Sequence, residues 1–283
     1  MDKKIKVAAV GDNCIDAYDN TGQSFPGGNP VNVAVYIKRL GGEASYTGVV
    51  GTDESGRFMI EAIEKKGVDT SHVQVLEGNT AVSHVELLDG ERVFGDYEEG
   101  VLADFKLRPE DVEFLCSHDM VATGIWGMIE GNLPEIAAKA PVAFDFANKF
   151  ASPVVTQAIP SVTYAFFSYD EESKEDFDQK YRELGLEPQE TEEERLLEFM
   201  KAMQKQGPRA VVITLGEAGS MAWDGVKLYR CGITKCEVAD TMGAGDSFIA
   251  GFLYAVLQGV SIPEAMEAGS KNSAVTLSYF GAW

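Results

Sequence analysis

Apolar and polar positions along the chain set out an alternating strand and helix rhythm. Lys4 to Val10 alternates and then runs apolar, as a strand entering an interior does, and it stops at Gly11. Asn29-Pro30 predicts a helix start, with Asn as N-cap and Pro at the first helical position. That helix carries Val31, Val35 and Leu40 and ends at Gly41-Gly42. Ala44 to Val50 reads as a second buried strand, and Gly56 to Lys66 as a helix closed by Gly67. Strand, helix, strand, helix predicts parallel pairing through right-handed crossovers.

Between Thr80 and Tyr97 the period changes to two, and Asp89-Gly90 marks a tight turn between two strands. A hairpin that interrupts an α/β rhythm predicts a small β lid outside the main sheet. Met120 to Thr123, Val142 to Phe146, Tyr164 to Phe167 and Val211 to Leu215 are further candidate strands, and Trp223-Asp224-Gly225 is a second hairpin turn. Asp170 to Glu198 is dense in charge and reads as one or two exposed helices in a solvated surface insertion, dispensable for chemistry. No repeat, low-complexity tract or linker divides the chain, so one α/β domain is expected.

The 283 residues are 45% hydrophobic and 24% charged, the composition of a soluble globular chain. Lys plus Arg number 24 and Asp plus Glu 45, a formal charge of −21 that opposes nucleic acid and anionic membrane surfaces as partners. The longest uncharged apolar run, Phe248 to Leu257, is too short to span a bilayer, and Val7 to Val10 is too brief for a signal-peptide core. A cytoplasmic location is expected. Cys14, Cys116, Cys231 and Cys236 are scattered, and His72, His84 and His118 form no metal-ligand spacing. Three histidines also make Ser-His-Asp or Cys-His catalysis a poor expectation.

The most informative stretch is Asp240-Thr-Met-Gly-Ala-Gly-Asp246-Ser-Phe. Small residues lead into an amphipathic helix whose apolar positions, Phe248, Phe252 and Val256 beside Ile249, Leu253 and Leu257, repeat at four until Gly259. The N–H groups of such a helix start form an anion site. Asp246 beside it suits a base that deprotonates an alcohol attacking a phosphoryl group. An Asp that merely favours the positive end of a helix explains Asp246 as well, though not Gly-Ala-Gly. The chain contains no G-x-x-x-x-G-K-[ST], no H-R-D or D-F-G, and no G-x-G-x-x-G after its first strand.

Asp240 to Asp246 resembles the second signature of the ribokinase-like (PfkB) carbohydrate kinases, and Gly27-Gly-Asn-Pro-Val-Asn-Val-Ala34 resembles the first. Thr214-Leu-Gly-Glu-Ala-Gly-Ser220 is similar to the family's nucleotide loop. Gly11 to Asp16, Glu91 to Tyr97, Ile125 to Gly127, Ala143 to Phe146 and Gly281 to Trp283 are similar to members acting on fructosamines. The resemblance implies a three-layer α/β/α sandwich with a mostly parallel central sheet, one domain over residues 1–283, and a β lid from about 14–26 and 78–105. It implies an ATP- and Mg²⁺-dependent kinase for the 6-hydroxyl of a fructosamine such as fructoselysine, with K⁺ as a further ion. A fructokinase or nucleoside kinase is the alternative within the fold. A non-catalytic sugar or nucleotide sensor is another, which an intact Gly-Ala-Gly-Asp argues against.

The same resemblance implies residue roles. Asp246 is the base, with the amides of Gly243, Ala244 and Gly245 as the anion hole. Asp16, Gly27, Gly28 and Asn32 hold sugar hydroxyls, with Asp12 and Asn29 as weaker candidates because Asn29 also suits a helix cap. Asp96 and Trp126 are candidates for the substrate's cationic amine and its tail, and Arg92 is a further substrate-binding candidate. Thr214, Gly216 and Gly219 serve the nucleotide phosphates and Asn272 the adenine pocket, while Asp240 and the Met242 carbonyl hold the monovalent cation. One departure is Ser168-Tyr-Asp-Glu171 where the family carries Asn-x-x-Glu, so Glu171 or Glu172 is left to organise the water around Mg²⁺. The lid edges allow a homodimer by pairing across a two-fold axis.

Overall fold

A computed structural model describes residues 4–20, 22–88 and 91–283, with the backbone alone at 87–88 and 91–94. In chain order the first half holds β1 (Lys6–Val10), β2 (Cys14–Tyr18), β3 (Gln23–Gly27), α1 (Asn29–Arg39), β4 (Glu43–Thr47), β5 (Val49–Gly51), α2 (Glu54–Lys65), β6 (Gln74–Leu76), β7 (Val82–Leu88) and β8 (Glu91–Glu98). Then come α3 (Pro109–Leu115), β9 (Met120–Gly124), α4 (Leu133–Ala137), β10 (Val142–Asp145), α5 (Pro153–Ala158), β11 (Tyr164–Ser168), α6 (Lys174–Glu183) and α7 (Glu192–Gln204). The chain closes with β12 (Ala210–Thr214), β13 (Ser220–Trp223), β14 (Leu228–Cys231), α8 (Ala244–Leu257) and α9 (Ile262–Leu277).

The eight-stranded main sheet runs β14-β13-β12-β11-β10-β9-β1-β4. From β12 to β4 every pair is parallel, and β13 and β14 add an antiparallel edge. Alternate residues leave opposite faces, as a pleated strand requires. Val121, Phe144, Phe167 and Ile213 join α3 to α7 on one face, while Ala122, Ala143, Phe166 and Val212 join α1, α2, α8 and α9 on the other. This is the expected three-layer sandwich. Strand order reverses at β1, whose neighbours are β4 and β9, so a crevice opens at their carboxyl ends.

A separate four-stranded sheet, β3-β2-β7-β8, is built from the chain just after β1 and from the hairpin. Tyr18 anchors its inner face in an edge-on contact with Phe25 and packs near Phe280. The Asp89-Gly90 turn lies outside the described residues. The second hairpin turn forms as expected, with Asp224 accepting from the amides of Val226 and Lys227.

Three expectations need correction. Ala44 to Val50 is two strands, broken at Gly48, where a Cβ would overlap the Tyr46 hydroxyl. The charged stretch 170–198 is no solvated insertion: it holds α6 and the start of α7, and these two helices cross from β11 to β12. Its polar majority hides Phe177 and Tyr181 on α6 and Leu196 on α7, a buried stripe that α7 continues past the stretch with Phe199, Met200 and Met203. Phe177 is 0% exposed and packs edge-on against Phe150 and Tyr169. Nor is α8 amphipathic. It is buried from Ser247 to Leu253 because the sheet, α1 and α9 enclose it. Gly251 and Gly269 allow α8 and α9 to cross closely, since a Cβ at either would meet the other helix's backbone at 2.7 and 2.8 Å.

Candidate active site

The crevice at the strand carboxyl ends is where side chains with chemistry gather. After β1 the chain turns through Gly11 at φ 130°, where a Cβ would lie 2.6 Å from the Gly127 Cα of the loop after β9. Glycine lets those two loops touch. Asp12 follows and is 7% exposed, with Oδ1 lacking a hydrogen-bond partner among the described residues. Asn13 is held from behind, donating to the Tyr46 hydroxyl at 2.9 Å and to the Val49 carbonyl at 2.7 Å. Asp145 ends β10, and its Oδ1 accepts from the Ala147 amide at 2.8 Å.

Asn29 does not cap its helix. Gly28, at φ 110°, holds the N-cap position and Asn29 is the first helical residue, so its amide turns into the crevice. There Nδ2 donates to Asp145 Oδ2 at 2.9 Å and to Asp246 Oδ1 at 2.6 Å. Asn32, one turn on along the same face, donates to Asp246 Oδ2 at 2.7 Å and accepts from Trp283 Nε1 at 2.7 Å. Asp246 is thus gripped at both oxygens.

Asp246 sits in the first turn of α8, and Gly243 is its N-cap in the left-handed region at φ 71°. A Cβ on Gly243 would overlap the Tyr36 hydroxyl, whereas one on Gly245 would meet nothing within 4 Å. The Ala244 amide donates to the Thr241 carbonyl at 3.3 Å. Among the described residues the N–H groups of Gly243, Gly245 and Asp246 have no such partner, and they are the donors left for an anion.

Three carboxylates in one desolvated crevice resist ionisation. Burial, with the Asp246 charge adding to it, lifts Asp12 to about 7. Burial and then Asp246 lift Asp145 to about 7 as well. Asp246 is also raised by burial, against the pull of the Asn32 and Asn29 amides toward the charged form. The cluster can take up a proton, or gain a hydroxyl donor or a cation as a partner.

The remaining expected residues divide. Asp16 is buried on β2 and accepts from the Cys14 thiol at 3.4 Å. A Cβ on Gly27 would overlap its carboxylate, and one on Gly28 would fall 2.7 Å from the Asn13 Cα, so both glycines are fixed by close approach. Thr214 pairs its hydroxyl with Ser168 at 3.0 Å, and Gly216 and Gly219, at φ 55° and 92°, bracket the tight turn after β12. Asp240 accepts from the Met242 amide at 3.0 Å and the Gly281 amide at 2.7 Å, tying the loop before α8 to the last turn of the chain. Asp96 and Trp126 are exposed, Trp126 at 49%, and both are clear of the Asp246 cluster's hydrogen bonds. The Arg92 side chain lies outside the described residues.

Two further residues are engaged within the chain. Asn272 is buried between helices, donating to the Ser247 carbonyl at 2.7 Å and accepting from Arg39 at 2.8 Å, so its amide is engaged at the α1-α8-α9 junction. The Glu171 side chain is 87% exposed and paired with Lys174 at 2.6 Å, away from any carboxylate cluster. Among the described residues no group of three or more His, Cys, Asp or Glu could hold a metal. Sequence reasoning missed Asp145 and Trp283 as site residues. A carboxylate closing a buried parallel strand was the available signal for Asp145. For Trp283 the one signal was the resemblance of Gly281 to Trp283 to fructosamine-acting members, and it does not point to Asn32, 251 positions away.

Comparison with known proteins bears on this geometry. Residues 4–283 match the pfkB family carbohydrate kinase pattern. The chain is 43% identical over 278 residues to fructoselysine 6-kinase of Escherichia coli (strain K12), covering 98% of this chain and 99% of that one. It is 32% identical over 283 residues to a fructosamine kinase of Bacillus subtilis (strain 168), covering 99% and 93%. Among solved structures, ribokinase of Arabidopsis thaliana complexed with ribose and ATP superposes with a TM-score of 0.83 at 22% identity, over 99% of this chain and 94% of that one. No helix among the described residues is long and apolar enough to cross a membrane.

Proposed function

Given that this chain belongs to the pfkB family of carbohydrate kinases, we propose that it transfers a phosphoryl group from ATP to the 6-hydroxyl of a fructosamine such as fructoselysine. The observation that carries the reading is the Asp246 carboxylate, gripped by two asparagine amides beside the unpartnered N–H groups of a helix start. Asn29 and Asn32 fix its oxygens, leaving a lone pair to accept the hydroxyl proton as the sugar oxygen attacks. Negative charge developing on the phosphoryl oxygens meets the amides of Gly243, Gly245 and Asp246 at the positive end of α8. Gly216 and Gly219 shape the turn that takes the nucleotide's phosphates, with Thr214 and its partner Ser168 beneath it.

Mg²⁺ on those phosphates would neutralise charge between them. The donor set here supplies no direct metal cage, so it would rest on the nucleotide and water, with Glu171 reaching it only by leaving Lys174. Asp240 and the Met242 carbonyl would hold K⁺ and so stiffen the loop before α8.

The similarity to fructosamine kinases supports the substrate class, as does the local charge. Asp12, Asp16 and Asp145 give a cationic amine carboxylates to meet, and Asp96 and Trp126 at the exposed rim would follow a lysine tail outward. The β3-β2-β7-β8 sheet would close over the sugar and exclude water. Its edge strands β3 and β8 are the surface through which a homodimer would pair.

Coupled measurement of ADP release with fructoselysine, fructose, ribose and a nucleoside tests this. Fructoselysine should show the highest kcat/KM. Preference for fructose or a nucleoside would end the fructosamine reading, and binding without turnover of any of them would end the catalytic one.

A further inference from the structure

A second cavity, about 430 Å³, opens between α1, the end of α2 and the C-terminal part of α9. Its size is that of a small-molecule site. In a chain with 24 basic and 45 acidic residues, its lining holds the side chains of Lys38, Arg39 and Lys66 and no acidic side chain. Tyr279, Val275 and Trp283 supply the apolar wall. Lys38 and Lys66 make no ion pair among the described residues, and Lys66 Nζ stands 5.3 Å from the Trp283 ring centroid. Arg39 donates only to neutral acceptors: the Tyr279 hydroxyl at 2.7 Å, Asn272 Oδ1 at 2.8 Å, Thr276 Oγ1 at 2.9 Å and Ser247 Oγ at 3.0 Å. Three cationic side chains and no acidic side chain therefore line one groove, beside a flat indole.

None of Asp12, Asn29, Asp145 and Asp246 lines this cavity, and Tyr36 of its lining backs Gly243. Short hydrogen bonds join the cavity to the crevice. Trp283 donates to Asn32, and Asn32 donates to Asp246. Arg39 also reaches Ser247, the residue after Asp246.

We propose that the groove is a second ligand site for a small phosphate ester bearing a planar ring, and that its occupancy is felt at Asp246 through Trp283 and Asn32. The phosphate meets the lysines and Arg39, while the ring lies against Trp283 and Tyr279. A ligand that shifts the indole alters the hydrogen bond that positions Asn32, so it acts on turnover without entering the crevice.

Phenyl phosphate, which has no hydroxyl to accept a phosphoryl group, is the probe. Titrated into the full-length chain with a saturating non-hydrolysable ATP analogue, it should bind saturably by calorimetry and change tryptophan fluorescence. Trp283→Phe should lose that fluorescence change. Lys38→Met with Lys66→Met, both off the catalytic crevice, should weaken binding at least tenfold, and inorganic phosphate should bind at least tenfold more weakly than phenyl phosphate. Absence of saturable binding, unchanged affinity in the lysine variant, equal affinity for inorganic phosphate, or displacement by the ATP analogue would each overturn the site. These readouts do not require the fructosamine reading to hold. For the link to Asp246, saturating phenyl phosphate should change kcat or KM at least twofold in the wild type, on whichever sugar is turned over. In Trp283→Phe, which keeps a ring and loses the indole N–H, that change should vanish; an unaltered response would overturn the link.

Discussion

The α6-α7 pair and α8 carry opposite sequences to similar depths. α6 and the start of α7 are so charged that they read as surface, yet Phe177, Tyr181, Phe199 and Met200 lie at the centre of one face of the sheet. α8 is apolar around nearly its whole circumference and is buried accordingly, with Phe252 set edge-on against Tyr164 and Phe166. The difference is in what the polar residues do. On α6 most of them reach water, and the half-buried pair of Arg195 of α7 with Asp178 at 2.6 Å lies over the Phe177 and Tyr181 rings and ties the two helices together. On α8 the single acidic residue in the first turn is held by asparagines from α1. Charge density on a helix reports how much of it is wet; it does not reveal a stripe two side chains wide, nor one carboxylate with a task.

Substitutions can separate these two kinds of contribution. Phe177→Ala should cost about 3–5 kcal/mol of stability, the scale for deleting a buried aromatic side chain, with kcat per folded molecule unchanged. Chemical denaturation with a parallel activity assay checks it, and a loss below about 1 kcal/mol would restore the surface reading of α6. Asp246→Asn reverses the pattern: the melting temperature should hold or rise while kcat falls roughly 100-fold or more, the scale for losing a general base. Near-normal turnover in that variant would remove Asp246 from the chemistry.

Within α8 the comparison sharpens to two glycines. Gly243→Ala forces a side chain into the left-handed region and into the Tyr36 hydroxyl, so stability and kcat should both fall. Gly245→Ala adds a methyl to open space, and thermal melts should show it within about 1 kcal/mol of wild type. The smallest effect concerns pH. Asp12 and Asp145 ionise near 7 in the folded chain and at about 4 when unfolded, so in this window the folded state keeps protons that the unfolded state has lost. Stability of the ligand-free protein should therefore fall as pH rises from about 4 to about 7, and Asp12→Asn should flatten that slope. Turnover should move the other way, because the base must be ionised.

Much of this was legible before any coordinates. Turn glycines and apolar runs locate most strands to within a residue or two, because backbone geometry is a local matter. Asp246 and Gly243 are legible as well, since a helix start announces itself in its own residues, whereas Asn32 entered only through the resemblance, as a partner of sugar hydroxyls, and not as a holder of Asp246. Asn29 was misread as a cap for a physical reason: Asn before Pro is the ordinary composition of a helix start, and nothing nearby shows that its amide faces two carboxylates. Asp145 and Trp283 depend on which strands neighbour β1 and on the path of the last residues, and only tertiary structure decides those.

The bonds that hold Asp246 join positions 217 and 214 residues apart, since α1 forms early in the chain and α8 late. A nascent chain still short of α8 can pair β1 with β4 and stack its aromatic layer, but it has no catalytic constellation at all. Contacts of such separation carry a loop-closure cost that local contacts do not, although it grows only slowly with length. During synthesis, partly made molecules would bind neither partner productively, and the first turnover would mark the moment when the fold is complete.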